Sequence, residues 1–220
     1  MKQCARYQEE KGPMDLVCLD LEGVLIPEIW IAFAETTGIN ALRATTRDIP
    51  NYDDLMRQRL GLLDQHGLTL GQIQKVIEGL EPIPGAQNFL RSLREDYQVV
   101  ILSDTFYEFA LPMMRQLGWP TLLCHRLTTD ANDKITDYVL RQADPKRQAV
   151  EAFKNLNYRI FAAGDSYNDT TMLAAADAGF LFKAPANVTA EFPQFKSTDD
   201  YDVLRSYIDA AAEGKNGQGG

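Results

Sequence analysis

The chain has 220 residues, with 22 Lys and Arg against 31 Asp and Glu, so its formal net charge is −9. This acidity argues against a nucleic-acid partner or an anionic membrane surface, because both would repel the protein. Apolar residues make up 45% of the chain and recur along its length, which excludes disorder as a description of the whole. A phosphorylated small molecule stays open as a ligand, because a bound divalent cation can reverse the local charge.

The cysteines and the chain ends bear on the compartment. Cys4, Cys18 and Cys124 form neither a disulfide framework nor a CxxC pair, which favours a reducing compartment. No apolar run approaches the roughly 18 residues of a membrane span, and the first residues lack the apolar stretch of a secretory signal. We therefore expect a cytoplasmic protein with a flexible N-terminal extension at residues 1–13 and a flexible tail at 214–220.

Five short apolar runs are typical of buried strands. Three of them end in an acid, and the five cover residues 16–20, 99–104, 121–125, 159–165 and 178–182. Helical patterns lie between these runs. The alternation predicts an α/β fold with a doubly wound, mainly parallel sheet of the Rossmann type.

Three helices are predicted among the later strands. Residues 86–96 form an amphipathic pattern, and Asp144 with Pro145 is typical of an N-cap followed by the first helical residue. A further helix is expected at residues 169–178, where Gly179 would end it.

The segment after the first strand breaks the alternation, because it contains helical patterns and almost no strand signal. One pattern ends at Gly38, and another opens with a capping box at Thr69. We predict a small helical cap at residues 28–81, inserted into a core domain formed by residues 14–27 and 82–213. Such an insert lies at the carboxyl ends of the strands and can close over a ligand.

Acidic residues end three of the predicted strands, at Asp20, Asp104 and Asp165. The carboxyl ends of adjacent parallel strands meet at one edge, so these carboxylates are expected close together. Glu22 lies two positions after Asp20, and in an extended segment the two side chains would share a face. Asp169 adds a fourth acid at a helix start. Clustered carboxylates repel one another unless a cation is present, and Mg²⁺ is the hard cation that oxygen ligands suit.

Two further residues suit a phosphate group near such a cation. Lys146 lies near the start of its predicted helix, and Ser103 lies near the end of its predicted strand. Each of these residues alone is more often an ordinary surface or capping residue. Their ordered occurrence with the acids carries the prediction.

The ordered set resembles the haloacid dehalogenase-like phosphohydrolase superfamily. Its first motif appears as DLEGV at residues 20–24, its second as VVILS ending at Ser103, its third as Lys146 and its fourth as GDSYND at residues 164–169. The helical insert is similar to the small cap of the phosphoserine phosphatase branch. From Met14 to about Phe195 the chain resembles the bacterial bifunctional phosphoserine phosphatases that also act as phosphoserine–homoserine phosphotransferases.

This resemblance implies catalytic and metal-binding roles. Asp20 would be the nucleophile that forms an aspartyl-phosphate. Mg²⁺ would be held by the Asp20 carboxylate, the main-chain oxygen of Glu22 and Asp165. Glu22 would donate a proton to the leaving serine oxygen and then serve as base for the acceptor. Ser103 and Lys146 would hold the phosphoryl oxygens.

The same resemblance implies the substrate-binding residues. Glu28 would bind the substrate ammonium, and Arg59 would bind its carboxylate in a bidentate manner. Asn168 and Asp104 would line the substrate. Asp169 would support the metal or the lysine from outside the ligand set.

Several points stay open within this interpretation. Arg57 is an alternative to Arg59 as the carboxylate-binding residue. Glu22 stands where the superfamily usually has Asp, which puts the proton-transfer geometry in question and also fits the bifunctional subgroup. His125 follows a predicted strand and is expected to be structural.

The expected function is Mg²⁺-dependent hydrolysis of L-phosphoserine, with phosphoryl transfer to L-homoserine as a second activity. The alternatives are a plain phosphatase of another small phosphomonoester and, in a different class, a receiver-like phospho-acceptor module. Receivers are about half this length and have no helical insert after the first strand. A homodimer is compatible with the sequence.

Overall fold

The structure is a computed structural model that describes residues 13–45, 48–49 and 51–214. The flexible extension predicted at residues 1–13 and the tail predicted at residues 214–220 therefore lie outside the described residues, apart from Pro13 and Gly214. Within the described part of the chain, no helix is both long enough and apolar enough to cross a membrane.

The described residues form seven strands, which are β1 (Met14–Leu19), β2 (Gln98–Phe106), β3 (Thr121–Thr129), β4 (Ile135–Val139), β5 (Tyr158–Gly164), β6 (Ala178–Phe182) and β7 (Lys196–Thr198). Their order in the sheet is β4-β3-β2-β1-β5-β6-β7. β1 pairs in parallel with β2 and β5, and the pairing stays parallel through β6 and β7, whereas β3 and β4 are antiparallel. The chain moves from β1 toward β2 and later returns to the other side of β1. The predicted α/β class with a mainly parallel sheet is therefore confirmed.

The α-helices of the described residues are α1 (Ile29–Thr37), α2 (Tyr52–Gln65), α3 (Leu70–Glu78), α4 (Ala86–Asp96), α5 (Tyr107–Gln116), α6 (Pro145–Asn155), α7 (Thr170–Ala175), α8 (Ala186–Glu191) and α9 (Tyr201–Glu213). Short 3₁₀ turns cover Asn40–Arg43 and Tyr167–Asp169.

Local sequence signals explain several helix ends. Gly38 ends α1 in the left-handed conformation at φ 72°, which a residue without a Cβ adopts without strain. Thr69 and Gln72 form the predicted capping box before α3. Asp144 occupies the N-cap position of α6 and Pro145 is its first residue, although the Asp144 side chain makes no capping hydrogen bond. These predictions are confirmed.

The predicted helix at residues 169–178 is wrong in extent. A 3₁₀ turn occupies Tyr167–Asp169, and α7 ends at Ala175. Gly179 does not end a helix but lies in β6, where an added Cβ would stand 2.6 Å from the main-chain oxygen of Leu173. Close packing of strand against helix, rather than a turn, requires glycine there.

Two strand predictions also need correction. β2 continues to Phe106, so Asp104 lies inside the strand rather than at its end. The antiparallel hairpin of β3 and β4 was not predicted. Its signal is the polar segment at residues 130–134, in which the Asp130 side chain accepts hydrogen bonds from the main-chain N–H groups of Asn132 and Lys134.

The described chain divides into two compact units. Unit 1 contains the described residues of Met1–Asp20, Asn88–Leu102 and Asp144–Gly220. Burial of apolar side chains stabilises it. Its fully buried core includes Val17 and Leu19 of β1, Phe161 of β5, Phe182 of β6 and Ile208 of α9.

Unit 2 contains Leu21–Gln87 and Ser103–Ala143. Phe33 of α1, Phe106 of β2 and Phe109 of α5 are buried in its core. The Phe106 and Phe109 rings meet edge to face at 5.9 Å, a favoured arrangement of aromatic pairs. The predicted limits of the helical cap and of the core domain stay predictions.

Candidate active site

Three carboxylates of unit 1 converge at the point where the strand order reverses. Asp20 follows β1 and Asp165 follows β5, and these strands are neighbours in parallel register. The Asp20 main-chain N–H donates to the oxygen of Ala163 at 2.9 Å, which holds the two strand ends side by side. Oxygen atoms of Asp20, Asp165 and Asp169 all lie within 4.8 Å of one another. Such a switch point is where open α/β sheets bind ligands.

A buried lysine from α6 joins this cluster. The Nζ of Lys146 donates to Asp169 Oδ1 at 2.7 Å and lies 2.9 Å from Asp20 Oδ2. The lysine side chain is only 3% exposed, so water screens these charges poorly. Pro145 starts the helix and places the next residue in its first turn, which directs Lys146 toward the acids.

The charges of this cluster do not balance. One ammonium faces three carboxylates, and Asp20 and Asp169 are buried. Burial raises the pKa of Asp20 well above its usual range, and the nearby Asp169 raises it further, while Lys146 acts in the opposite direction. A divalent cation would remove this penalty. Three convergent carboxylate oxygens are the donor set that a hard cation prefers, so these residues fit such an ion.

The loop after β5 is shaped by Asp169. Its Oδ2 accepts from the main-chain N–H groups of Asp165 at 3.0 Å and Ser166 at 3.1 Å, which ties the loop to the side chain that also binds Lys146. Asp169 is completely buried, and its Oδ2 would lie 2.5 Å from a Cβ added to Gly164. Position 164 therefore requires glycine, because the Asp169 side chain lies too close to leave room for a Cβ atom.

We predict that Gly164→Ala lowers the free energy of unfolding by about 2 kcal/mol, because the methyl group must displace a buried carboxylate. Urea denaturation followed by circular dichroism measures this. Gly61→Ala is the matched control, since nothing lies within 4 Å of its added Cβ. Alanine in that helix should stabilise the protein by about 0.5–1 kcal/mol. Equal effects of the two substitutions would contradict the crowding at residue 164.

Asn168, predicted to line the substrate, is exposed in the same loop. Its Oδ1 accepts a short hydrogen bond from the Ser166 hydroxyl. Asn168 therefore lies in the same loop as Asp165 and Asp169, directly before Asp169 in the chain.

Glu22 belongs to unit 2 and forms an isolated β-bridge with Ile26, directly before a turn at residues 23–25. Gly23 has φ 76°, and its main-chain N–H donates to the oxygen of Ile26 at 2.8 Å. The expectation that Asp20 and Glu22 share a face of an extended segment stays a prediction. Glu22 Oε2 accepts from the main-chain N–H of Ile29 at 2.8 Å. That N–H belongs to the first residue of α1, so a helix end helps to hold the carboxylate.

Two opposing influences act on the pKa of Glu22, and the net shift favours its neutral form. Burial raises the pKa of Glu22, while the bond from Ile29, the Thr105 side chain and the charge of Arg59 act against that rise. The Glu28 side chain also hydrogen-bonds to it. A raised pKa favours the protonated carboxyl group that a general acid needs.

Arg59 is a buried guanidinium of α2 and is 8% exposed. Its Nη2 donates to the main-chain oxygen of Ala44 at 3.0 Å, and its Cζ lies 4.6 Å from the centroid of the Trp30 ring. Its Nε is buried and has no hydrogen-bond partner among the described residues. A buried donor without a partner is costly, so this atom indicates an acceptor that the described residues do not supply.

Arg57, the alternative carboxylate-binding residue, is differently placed. It is exposed and donates to Asp137 Oδ1 at 2.9 Å. Its charge is therefore already used in a surface ion pair of unit 2. The structure therefore distinguishes the buried Arg59 from the exposed Arg57, whereas their spacing in the sequence does not.

The end of β2 places Ser103 and Asp104 in unit 2. Ser103 is buried, and its Oγ accepts from the main-chain N–H of Thr105 at 3.2 Å. Asp104 is partly exposed and faces the buried His125, whose Nε2 lies 3.7 Å from Asp104 Oδ1. Tyr52 also lies near: its pKa is raised by burial and then by the charge of Asp104.

The structure thus brings Asp20, Lys146, Asp165 and Asp169 together in unit 1. In unit 2 it brings Glu22 near Glu28 and Arg59, and it places Asp104 near His125. Sequence reasoning missed Thr105 as a neighbour of Glu22. No sequence pattern marked it, because its proximity depends on long-range packing.

Comparison with known proteins identifies the family. A profile described as haloacid dehalogenase-like hydrolase matches residues 14–177. The chain belongs to this family. The predicted resemblance to the superfamily is confirmed, and so is the prediction that the protein is an enzyme.

Two relatives share most of the sequence. The chain is 64% identical over 200 residues to "Phosphoserine phosphatase ThrH" of Pseudomonas aeruginosa, with coverage of 90% of this chain and 98% of the relative. It is 67% identical over 192 residues to "Phosphoserine phosphatase" of Pseudomonas syringae pv. tomato, with coverage of 87% and 81%.

Solved structures are also similar. A phosphoserine phosphatase from T. onnurineus in complex with NDSB-201 has a TM-score of 0.69 at 25% identity, with coverage of 90% of this chain and 94% of that chain. A phospho-aspartyl intermediate analogue of phosphoserine phosphatase has a TM-score of 0.72 at 20% identity, with coverage of 89% and 99%. The second similarity shows the fold alone.

Proposed function

We propose that the protein is a Mg²⁺-dependent phosphoserine phosphatase that also transfers the phosphoryl group from L-phosphoserine to L-homoserine. The observation that carries the proposal is the buried Arg59, whose Nε has no partner among the residues that the structure describes, because such a guanidinium suits a planar anion such as a carboxylate. The names of the two relatives at 64% and 67% identity support the same substrate. The cytoplasmic location and the homodimer stay predictions.

The phosphoryl chemistry is assigned to four groups. The Asp20 carboxylate attacks phosphorus, the bond from phosphorus to the serine oxygen breaks, and an aspartyl-phosphate forms. Glu22 gives its proton to the departing serine oxygen. Lys146 and Ser103 hold phosphoryl oxygens, so that the phosphoryl group is positioned in line with the attacking oxygen.

Regeneration of Asp20 needs a second acceptor. Glu22 takes a proton from water or from the homoserine hydroxyl, the oxygen attacks phosphorus, and the bond to Asp20 breaks. Homoserine is serine with one additional methylene, so Arg59 and Glu28 can bind either amino acid by its charged ends. Exclusion of water would favour transfer over hydrolysis.

Magnesium is proposed at the acidic cluster. The Asp20 carboxylate, the Glu22 main-chain oxygen and Asp165 would hold it, and Asp169 would support the arrangement through Lys146. When bound, the cation supplies positive charge to a substrate that carries negative charge into an acidic site.

The test is one assay with L-phosphoserine and Mg²⁺, with and without L-homoserine, in which free phosphate and phosphohomoserine are measured together. We expect both products, and we expect chelation of the metal to stop both. Phosphate alone would remove the transfer half of the proposal. If phosphoserine gave no product while another phosphomonoester was hydrolysed, that ester would replace phosphoserine as the proposed substrate.

The arginine that binds the carboxylate is tested in the same assay. Arg59→Lys should raise the KM for phosphoserine by about 30-fold, because lysine cannot make the bidentate contact. Arg57→Lys is the matched control from the same helix and should change the KM by less than about twofold, since an exposed ion pair contributes little. A larger effect at residue 57 than at residue 59 would reverse the assignment.

A further inference from the structure

We propose that His125 is a positioning residue, which orients the Asp104 carboxylate as a second partner for the substrate ammonium. The inference rests on the proposed function and concerns unit 2 alone. It assigns a role in substrate selection to a histidine that sequence analysis expected to be structural.

The imidazole of His125 is held in one orientation. It lies in β3 and is 3% exposed. Its Nδ1 accepts a hydrogen bond from the main-chain N–H of Arg141 at 3.0 Å. The Phe106 ring packs against it, with 6.3 Å between ring centroids. Both the position and the rotation of the ring are therefore fixed by unit 2.

The accepted hydrogen bond also determines where the proton lies. A ring nitrogen that accepts carries no proton, so a neutral imidazole carries its proton on the other nitrogen. For His125 that nitrogen is Nε2, which lies 3.7 Å from Asp104 Oδ1. The histidine therefore presents an N–H donor, rather than a positive charge, to the carboxylate. The separation exceeds a hydrogen bond, and such contacts often tighten only when substrate is bound.

The charges around Asp104 indicate what this carboxylate binds. The charges of Asp104, Arg59 and Glu22 all act on the Tyr52 phenol, and the charge of Glu28 acts on Arg59. One guanidinium accompanies three acidic side chains there, which are Asp104, Glu22 and Glu28. An amino acid matches this set, because its carboxylate suits the arginine and its ammonium suits an acid. Since a neutral His125 leaves the charge of Asp104 intact, the carboxylate keeps its attraction for the ammonium.

Two variants of His125 separate positioning from structure. In His125→Gln the side-chain amide nitrogen can replace the Nε2 donor, but the acceptor for Arg141 is lost. In His125→Asn the amide oxygen can accept from Arg141, but no donor reaches Asp104. Positioning predicts that Gln retains function and Asn loses it, whereas a purely structural role predicts the reverse. Thermal melting of both variants shows whether they fold.

The readout is the preference for an amino group. We compare kcat/KM for L-phosphoserine with that for the phosphate ester of 3-hydroxypropionate, which is phosphoserine without its amino group. In His125→Asn this ratio should fall about tenfold, through the KM for phosphoserine rather than through kcat, as is typical when a supporting hydrogen bond is removed. In His125→Gln it should stay within about threefold of the wild-type ratio. The exposed His66, converted to Asn, is the control and should leave the ratio unchanged.

Each outcome decides the proposal. A lower ratio in the Asn variant with recovery in the Gln variant supports it. An unchanged ratio in both variants, or a lower ratio in the Gln variant alone, overturns it. If the wild-type protein does not turn over phosphoserine, the proposed function fails and this inference fails with it. If the wild type is active and the variants keep its ratio, the inference alone fails.

Discussion

Asp20→Asn is expected to abolish turnover of phosphoserine, with a loss of about 10⁴-fold or more, because an amide cannot replace the attacking carboxylate. The direct measurement uses phosphoserine labelled with ³²P and an acid quench. Wild-type protein should retain the label as an aspartyl-phosphate, which survives the acid quench, and the Asn variant should retain none. Loss of label and of turnover together would assign the nucleophile to residue 20.

The variant should lose activity without losing its fold. Asn has the size of Asp, so the packing after β1 is kept. The substitution removes one of three carboxylates that lie within 4.8 Å of one another, although it also removes the Asp20 partner of Lys146. The exposed Asp199, converted to Asn, is the control and should keep full activity. An Asp20→Asn protein with more than about 1% of wild-type turnover would contradict the role assigned to this residue.

The acidic cluster shows what sequence reasoning can reach. Asp20 and Asp165 follow apolar runs that are typical of buried strands, and parallel strand ends must share an edge. That argument needs only local patterns and a general rule of sheet topology. The structure accordingly brings their carboxylates together, and Lys146 with them.

Sequence reasoning fails where distant segments decide the outcome. The hydrogen bond that Glu22 accepts from the main-chain N–H of Ile29 depends on where α1 begins, which the spacing after Asp20 does not record. The choice between Arg57 and Arg59 depends on which faces the interior, and helical spacing leaves both open. The proximity of Asp104 to His125 depends on how β3 packs, which no local pattern records.

Lys146→Met is expected to be the most destabilising of these substitutions. Removing the ammonium leaves buried carboxylates without their partner, and breaking a buried ion pair in this way costs about 3–5 kcal/mol. Turnover should also fall, by about 10³-fold, since one of the groups proposed to hold the phosphoryl oxygens is lost. Urea denaturation in the absence of metal measures the first effect. Lys154→Met, from the exposed face of the same helix, should cost less than about 1 kcal/mol.

A second substitution tests the electrostatic cause of this instability. If Lys146→Met is destabilised by unbalanced carboxylates, adding Asp20→Asn removes one of them and should restore about 1–2 kcal/mol of the lost free energy of unfolding. If the cause were the lost packing of the lysine stem, the second substitution would restore nothing. Magnesium gives the same distinction by another route, because a cation that replaces the missing charge should stabilise Lys146→Met more than wild type. Additive losses in the double variant, together with no metal effect, would mean that Lys146 does not balance the charge of the acidic cluster.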